Sequence, residues 1–227
     1  MTKRNRKRRL PETFDVRRHH VMAFGTPVIA YTWPESDGIN HALEQLILAR
    51  EQQSEGMSRS NVGGWHSSAD FFGWHEDCVK TLAKRIQEMT GSITSWVTIS
   101  NQDTGRTFNY RLDGWANVSR NGCYNAVHNH PHSLWSGVYY VSTGQPDDDS
   151  PENGRLELLD PRTGANMLYM QSTRLEERYL IEPIPGLMVV FPGWLKHYVH
   201  PFFGDGDRIS VAFNLIATER PSADDAA

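Results

Sequence analysis

The sequence predicts a mainly β protein of the α+β class, a sandwich or barrel of strands with flanking helices on its N-terminal side. After about residue 95, short runs of β-branched, aromatic and aliphatic residues alternate with turn residues. Many short strands with regular turn signals are typical of β-sandwiches and barrels. Before that point, two segments repeat apolar residues at helical spacing instead. A chain of 227 residues is long enough for one domain with a sizeable core.

The N-terminal part contains one strand region, two helices and a long loop. Residues 20–33 alternate in the manner of a strand, with a break at Gly25–Pro27. Amphipathic spacing predicts helices over 38–53, with Asp37 as N-cap, and over 75–91. Between them, residues 54–74 are rich in Ser, Gly, Asn and Trp, which predicts a loop that is either a lid or an ordinary surface loop.

The C-terminal part contains nine runs of β-type composition. Asp113-Gly114, Pro185-Gly186 and similar turn signals separate them. The runs are 107–119, 123–130, 134–142, 154–159, 166–171, 178–183, 187–192, 197–203 and 207–217. Neither an internal repeat nor a linker interrupts this pattern. We therefore expect a single domain over 20–218, between a basic N-terminal tail (1–19) and a loose C-terminal tail (219–227).

Charge and cysteine content narrow the class of protein. Residues 3–9 hold six basic side chains, and without them the body has about ten more acidic than basic groups. Such a body argues against a nucleic-acid partner, because no large basic face is left to neutralise phosphates. No run of roughly 20 apolar residues predicts a membrane span, and the basic start lacks the apolar region of a secretory signal.

With only Cys78 and Cys123, no disulfide framework is expected, so the cytoplasm is the predicted location.

Histidines near the middle of the chain suggest a metal site. His128 and His130 are two residues apart, and residues i and i+2 of a strand point to the same face. Pro131 would end the strand pairing there, so the pair would lie at a strand end. A third ligand must come from elsewhere. His197 and His200 are the candidates, and their opposite parity in a strand means that only one can point to the site.

A basic residue near the C-terminus suggests an anion site. Arg208 and Ser210 share one face of the predicted strand 207–217. The planar guanidinium of arginine suits bidentate binding of a carboxylate, and the serine hydroxyl adds a donor. The alternative is a structural salt bridge to one of the 27 acidic residues.

Four ordered segments carry a family resemblance: HNHPHSLWSGVYYV, GRLELLDPR, PGLMVVFPGWLKHYVHP and DRISVAFNL. Together with SNVGGWHS at 60–67, they resemble a bacterial family of 2-oxoglutarate/Fe(II) oxygenases across most of residues 20–217. The resemblance implies a double-stranded β-helix, that is, a cupin-like jelly roll. It also implies that His128, His130 and His197 are iron ligands, and that Arg208, assisted by Ser210, binds the C5 carboxylate of 2-oxoglutarate.

The implied ligand set departs from the usual two histidines and one carboxylate. His130 occupies the carboxylate position, which leaves three alternatives. Three histidines bind the metal, a carboxylate such as Glu157 or Asp160 completes the set, or His130 does not coordinate and one position stays open. A site of three histidines also suits zinc. Several polar and aromatic residues lie close to the ligands in sequence and are candidates for the pocket or for an ordinary sheet core: Asn117, Tyr124, Asn125, Trp135, Tyr139 and Tyr140. Of these, we expect Asn117 and Tyr124 to contribute to the cosubstrate pocket.

The implied activity is that of a 2-oxoglutarate-dependent dioxygenase that uses Fe(II) and O2, hydroxylates a small-molecule or peptide substrate, and releases succinate and CO2. No catalytic side chain beyond the metal centre is predicted. Two alternatives stay open: a cupin-like tris-histidine enzyme that does not use 2-oxoglutarate, such as a thiol dioxygenase or an isomerase, and a non-catalytic metal-binding module. A homodimer is expected only because dimers are common.

Overall fold

A computed structural model describes residues 25–97, 108–147, 150–165 and 178–219. The described chain contains two α-helices and eleven strands. The helices are α1 (Asp37–Glu51) and α2 (Asp77–Val97). The strands are β1 (Ile29–Thr32), β2 (Asn61–Val62), β3 (Trp65–His66), β4 (Phe108–Ser119), β5 (Tyr124–His128), β6 (Trp135–Pro146), β7 (Leu156–Leu159), β8 (Arg178–Ile181), β9 (Leu187–Pro192), β10 (His197–Val199) and β11 (Gly204–Glu219).

The strands form two antiparallel sheets that face each other. The larger sheet has the order β1-β9-β6-β11-β4-β3, and the smaller one has the order β2-β5-β10-β7-β8. From β4 to β11 the chain passes repeatedly from one sheet to the other, which is the winding of a double-stranded β-helix. The predicted jelly roll is therefore confirmed.

The two helices cover the outer face of the larger sheet. Leu43 and Ile47 of α1 and Leu82 and Ile86 of α2 are fully buried in one cluster with outward-facing sheet residues such as Val211. Truncating such a side chain to alanine costs about 2–5 kcal/mol of stability. A second apolar cluster lies between the sheets and contains Tyr140, Leu156, Leu158, Ile181, Leu187, Val189, Phe191 and Leu195. The helices thus fix the larger sheet from outside and leave its inner face to the barrel interior.

The predicted helices and strands that fall on described residues agree with the structure apart from their ends, and the predicted loop differs. Helix α1 begins at Asp37, so Ser36 and not Asp37 is its N-cap residue. Residues 54–74 contain β2, β3 and a short 3-10 turn at Phe71–Gly73 instead of a continuous loop. Three predictions lie outside the described residues: the strand at 166–171 and most of the two terminal tails. Within the described part of the chain, neither helix is long and apolar enough to cross a membrane.

Candidate active site

Three histidines meet at one end of the barrel, between the sheets. One ligand nitrogen from each of His128, His130 and His197 lies within 4.8 Å of the other two. Strand pairing brings two of them together, because His128 at the end of β5 is directly opposite His197 at the start of β10. His130 lies beyond the end of β5 and completes the cluster, with its ring centre 5.0 Å from that of His128 and 5.2 Å from that of His197.

Backbone carbonyls fix the tautomer of two of these rings. His128 Nδ1 lies 2.7 Å from the carbonyl oxygen of Ala126, and His197 Nδ1 lies 2.8 Å from that of Leu195. A carbonyl oxygen only accepts, so each Nδ1 carries the proton and donates it. Each Nε2 therefore carries the lone pair that a metal-binding histidine requires, and the Ser60 hydroxyl oxygen lies 3.5 Å from the Nε2 of His128.

Burial keeps all three imidazoles neutral. Loss of hydration lowers the pKa of His130 to about 4 and that of His197 to about 3, and it also lowers the pKa of His128. The close approach of the rings acts in the same direction for His130 and His197, because one protonated ring disfavours protonation of its neighbour. Three neutral nitrogen donors on one face of a cavity fit a divalent transition metal such as Fe(II) or Zn(II).

Arg208 lies inside the barrel without an acidic partner. Its side chain is 3% exposed, and within the described chain no hydrogen bond or ion pair satisfies its buried Nε. Burial lowers the pKa of Arg208, but an arginine keeps its charge in proteins. The structural salt bridge considered from the sequence is thus not formed among the described residues. An uncompensated buried cation is costly, and an anionic ligand would remove that cost.

Strand register aligns three polar side chains in a row beside this arginine. On the inner face of the larger sheet, Ser210 of β11 is opposite Asn117 of β4 on one side and Tyr140 of β6 on the other. All three are buried, and neither the Tyr140 hydroxyl nor Asn117 Oδ1 has a hydrogen-bond partner among the described residues. Native proteins satisfy nearly all such groups, so these atoms indicate a polar ligand in the cavity. The row fits a small dicarboxylate held by Arg208.

Tyr140 was not among the predicted cosubstrate residues, and Tyr124 was. Tyr124 is on the outer face of β5, where it is exposed and paired with Val62, and it does not line the cavity. Its neighbour Asn125 does line the cavity, because adjacent residues of a strand point to opposite faces. Asn125 Nδ2 lies 3.4 Å from the hydroxyl oxygen of Ser60, a residue that also lines the cavity. The assignment of Tyr124 to the pocket is therefore corrected.

The two carboxylates considered as a third ligand point away from the histidines. Glu157 is on the outer face of β7, where its carboxylate accepts hydrogen bonds from the Tyr198 hydroxyl at 2.9 Å and from His200 at 2.8 Å. Asp160 is bound by the guanidinium of Arg162. Neither reaches the cluster, so among the described residues the candidate ligand set consists of three histidines. His200 faces the side opposite to His197, as its parity predicted.

The segment 54–74 packs beside the site, and its Ser60 lines the cavity. Trp65 is buried and donates its indole N–H to the carbonyl of Ser54, 3.0 Å away. His66 is also buried and stacks on Trp115, with 5.4 Å between ring centres. Trp115 lines the cavity and packs against His130, with 5.6 Å between the two ring centres. Hydrogen bonds and stacking hold this part of the segment in place, which favours an ordinary packed segment over the alternative of a lid.

Comparison with known sequences assigns a chemistry to this arrangement. Residues 113–214 match the sequence model of a family described as "Putative 2OG-Fe(II) oxygenase". The matched part includes the three histidines, Arg208 and Tyr140. No curated protein sequence matches the chain. The site and the match together indicate a 2-oxoglutarate- and Fe(II)-dependent dioxygenase.

Several solved structures share the fold at low sequence identity. A prolyl-4-hydroxylase from Pseudomonas putida is 16% identical, with a TM-score of 0.56, and the match covers 83% of this chain and 91% of that one. The non-heme alpha ketoglutarate dependent epimerase SnoN from nogalamycin biosynthesis is 13% identical, with a TM-score of 0.60, covering 86% and 79%. A prolyl hydroxylase from Trichoplax adhaerens, in complex with a hypoxia inducible factor peptide, is 13% identical, with a TM-score of 0.55, covering 83% of each chain.

Proposed function

We propose that this protein is a hydroxylase that depends on Fe(II) and 2-oxoglutarate, with His128, His130 and His197 as the metal ligands. The observation that carries the proposal is that one cavity holds three neutral histidines and a buried arginine, and that no acidic residue of the described chain pairs with this arginine. A metal site alone would not need Arg208 inside the barrel. An ion and a dicarboxylate bound side by side account for both features.

Arg208, Tyr140, Ser210 and Asn117 are proposed to hold the cosubstrate. The guanidinium would bind the C5 carboxylate, and the hydroxyls of Tyr140 and Ser210 would donate to it. Asn117 is in the same row, and its amide group offers both donors and acceptors to the bound molecule. These contacts would orient the cosubstrate, with its keto-acid end left for the metal, so that part of the binding energy would be used for positioning.

When bound, Fe(II) and 2-oxoglutarate supply the oxidative chemistry: they activate O2, yield succinate and CO2, and deliver an oxygen atom to the substrate. The protein side chains contribute binding, orientation and exclusion of water. The apolar wall of Leu156, Phe191 and Ala212 lines the cavity beside the polar row. A dry cavity strengthens the charge interaction between Arg208 and a carboxylate.

The three-histidine set also gives weight to a second function, a tris-histidine oxygenase or isomerase that does not use 2-oxoglutarate. Such an enzyme would retain full turnover when Arg208 is replaced, because nothing in its reaction requires a dicarboxylate. The proposed hydroxylase would lose cosubstrate binding with the same replacement. The cytoplasmic location and a homodimer both stay predictions.

Formation of succinate tests the proposed function. Purified protein is incubated with Fe(II), 2-oxoglutarate and O2, and succinate is measured by mass spectrometry. His197→Ala is the control, because it removes a proposed ligand that projects from the start of β10. We expect succinate above the background of His197→Ala. If the iron-loaded protein forms no succinate and also does not bind 2-oxoglutarate, the proposal is contradicted.

A further inference from the structure

A tight turn carries His130 into the metal site. The backbone amide of Ser133 donates to the carbonyl of His130 at 3.2 Å, which closes a β-turn over His130–Ser133. Pro131 occupies its second position, and His132 has a positive φ of 68° at the third, the pattern of a type II turn. Pro131 restricts the turn, but nothing within these four residues fixes its distance from the strand that carries His197.

A second turn leads into His197. The backbone amide of Leu195 donates to the carbonyl of Pro192 at 2.9 Å, which closes a turn over Pro192–Leu195 just before β10. The carbonyl of Leu195 accepts the Nδ1 proton of His197 at 2.8 Å. The second turn therefore orients its histidine directly.

The two turns are joined by three hydrogen bonds. The backbone amide of His130 donates to the carbonyl of Gly193 at 2.8 Å, and the amide of Gly193 donates to the carbonyl of Leu134 at 3.3 Å. The side-chain amide of Asn129 adds a bond to the carbonyl of Trp194 at 3.4 Å. Gly193 thus lies at the centre of this contact and bonds to the chain on both sides of the first turn.

The contact is too close for any side chain at position 193. A Cβ atom there would lie 2.4 Å from the carbonyl oxygen of Ser133, 2.8 Å from its Cβ and 3.0 Å from the carbonyl oxygen of His130. Two of these neighbours are backbone atoms, which cannot move away as the end of a flexible side chain could. Gly193 is not among the glycines with positive φ, so close approach and not backbone conformation requires glycine here.

We infer that Gly193 is a positioning residue, which sets His130 at binding distance from His128 and His197 by allowing the two turns to pack against each other. This inference rests on the proposed function, since it assumes that His130 binds the metal. A methyl group at position 193 would push the His130 turn outward and weaken the site without removing any ligand. His128 and His197 would remain paired across β5 and β10.

Metal binding in the absence of 2-oxoglutarate tests the inference. Calorimetric titration with Co(II) measures the dissociation constant for wild type, Gly193→Ala and the matched control Gly38→Ala. An added Cβ at Gly38 meets no atom within 4 Å. We expect Gly193→Ala to raise the dissociation constant by about tenfold or more, as loss of groups that orient ligands commonly does, and Gly38→Ala to leave it unchanged.

A second background separates positioning from general damage. In His130→Ala, the same Gly193→Ala change should alter metal affinity by less than about twofold, because the ligand that it positions is gone. Equal weakening in both backgrounds would overturn the inference. Gly193→Ala that binds Co(II) with the same affinity as wild type would also overturn the inference, but it would not affect the proposed function. A wild-type protein that binds no Co(II) would contradict the proposed function itself.

A milder variant covers the case in which Gly193→Ala does not fold. Asn129→Ala removes only the side-chain bond between the turns, at an exposed position. We expect it to weaken Co(II) binding about threefold in the wild-type background and not at all in His130→Ala, with an unchanged melting temperature. Equal affinity of Asn129→Ala and wild type, together with an unfolded Gly193→Ala, would overturn the inference, because the contact would then serve folding alone.

Discussion

The guanidinium carbon of Arg208 lies 5.4 Å from the ring centre of Tyr140, and each of these side chains holds a buried polar atom that no described residue satisfies. Burial raises the pKa of Tyr140, so its hydroxyl stays protonated and can donate. A charged donor and a neutral donor facing the same cavity form a carboxylate site. The two unsatisfied atoms lower the stability of the free protein.

Replacing Tyr140 by phenylalanine is expected to stabilise the free protein and weaken cosubstrate binding. The change removes a buried hydroxyl without a partner, which relieves about 1 kcal/mol. It also removes one donor to the carboxylate, so the dissociation constant of 2-oxoglutarate should rise about tenfold. Thermal unfolding measures the stability of the free variant, and calorimetry measures its dissociation constant for 2-oxoglutarate. A lower melting temperature of the free variant would show that the hydroxyl is satisfied in the folded protein.

Arg208→Lys should abolish tight binding of 2-oxoglutarate while metal binding persists. Lysine keeps a positive charge but loses the planar fork, so the dissociation constant for 2-oxoglutarate should rise by about tenfold or more. Arg178→Lys is the matched control, because Arg178 lies outside the barrel and bonds Glu152. Calorimetry on the Co(II)-loaded variants is the measurement. Unchanged 2-oxoglutarate affinity in Arg208→Lys would favour an enzyme that does not use this cosubstrate.

His130→Asp should keep the metal site functional. The change restores two histidines and one carboxylate, and the added negative charge should hold a divalent ion at least as tightly as wild type. His130→Ala, which leaves no ligand at that position, should bind the ion about tenfold or more weakly. His132→Asp controls for the charge, since His132 is exposed and outside the cluster. Equal affinity of His130→Ala and wild type would show that His130 does not coordinate.

The metal-free protein should lose stability as the pH falls below about 6.5. Burial lowers the pKa of His130 to about 4 and of His197 to about 3, so between those values and 6.5 the unfolded chain binds protons that the folded protein does not. Above pH 6.5 both states are neutral and the effect vanishes. Urea unfolding in the presence of a chelator gives the free energy of unfolding of the metal-free protein at pH 7.5 and at pH 5.

His197→Gln provides the control for this pH dependence. A glutamine does not titrate, so the stability lost between the two pH values should be smaller than in wild type by about 1–2 kcal/mol. The comparison concerns the change with pH, and a constant cost of the substitution therefore cancels. An identical loss in the variant and the wild type would mean that His197 is protonated equally in the folded and unfolded states.

Much of this fold could be predicted from the sequence, because local patterns determine it. Turn signals and alternating apolar residues marked the ends of β4–β7 and β9–β11 to within a few residues in most cases. The family resemblance named His128 and His197 together as metal ligands, and the structure places them opposite each other on β5 and β10. These features depend on near neighbours in the chain, which the sequence displays directly.

The cosubstrate pocket was harder to predict, because strand parity depends on register. Tyr139 and Tyr140 are adjacent and both fully buried, but Tyr139 faces α1 and donates to Asn40, whereas Tyr140 faces the cavity. Composition alone cannot choose between them. For the same reason Tyr124, and not Asn125, was predicted to contribute to the cosubstrate pocket. One step along β5 moves a side chain from the inner to the outer face of the sheet.

The position of His130 shows a different limit. The sequence argument placed His128 and His130 on one face of a strand, but β5 ends at His128 and His130 belongs to the following turn. What brings His130 to the site is packing of that turn on Gly193, more than 60 residues along the chain. A contact of this kind has no local signature, so only the folded structure reveals it.

Visible spectroscopy under anaerobic conditions tests whether the three histidines and Arg208 hold Fe(II) and 2-oxoglutarate together. Chelation of Fe(II) by the keto acid produces a weak charge-transfer band near the middle of the visible range. We expect this band when the Fe(II)-loaded protein is titrated with 2-oxoglutarate. His197→Ala should abolish the band, and Arg208→Lys should shift its appearance to higher 2-oxoglutarate concentration. If protein that demonstrably holds Fe(II) gives no band with 2-oxoglutarate, the two are not held together in this site.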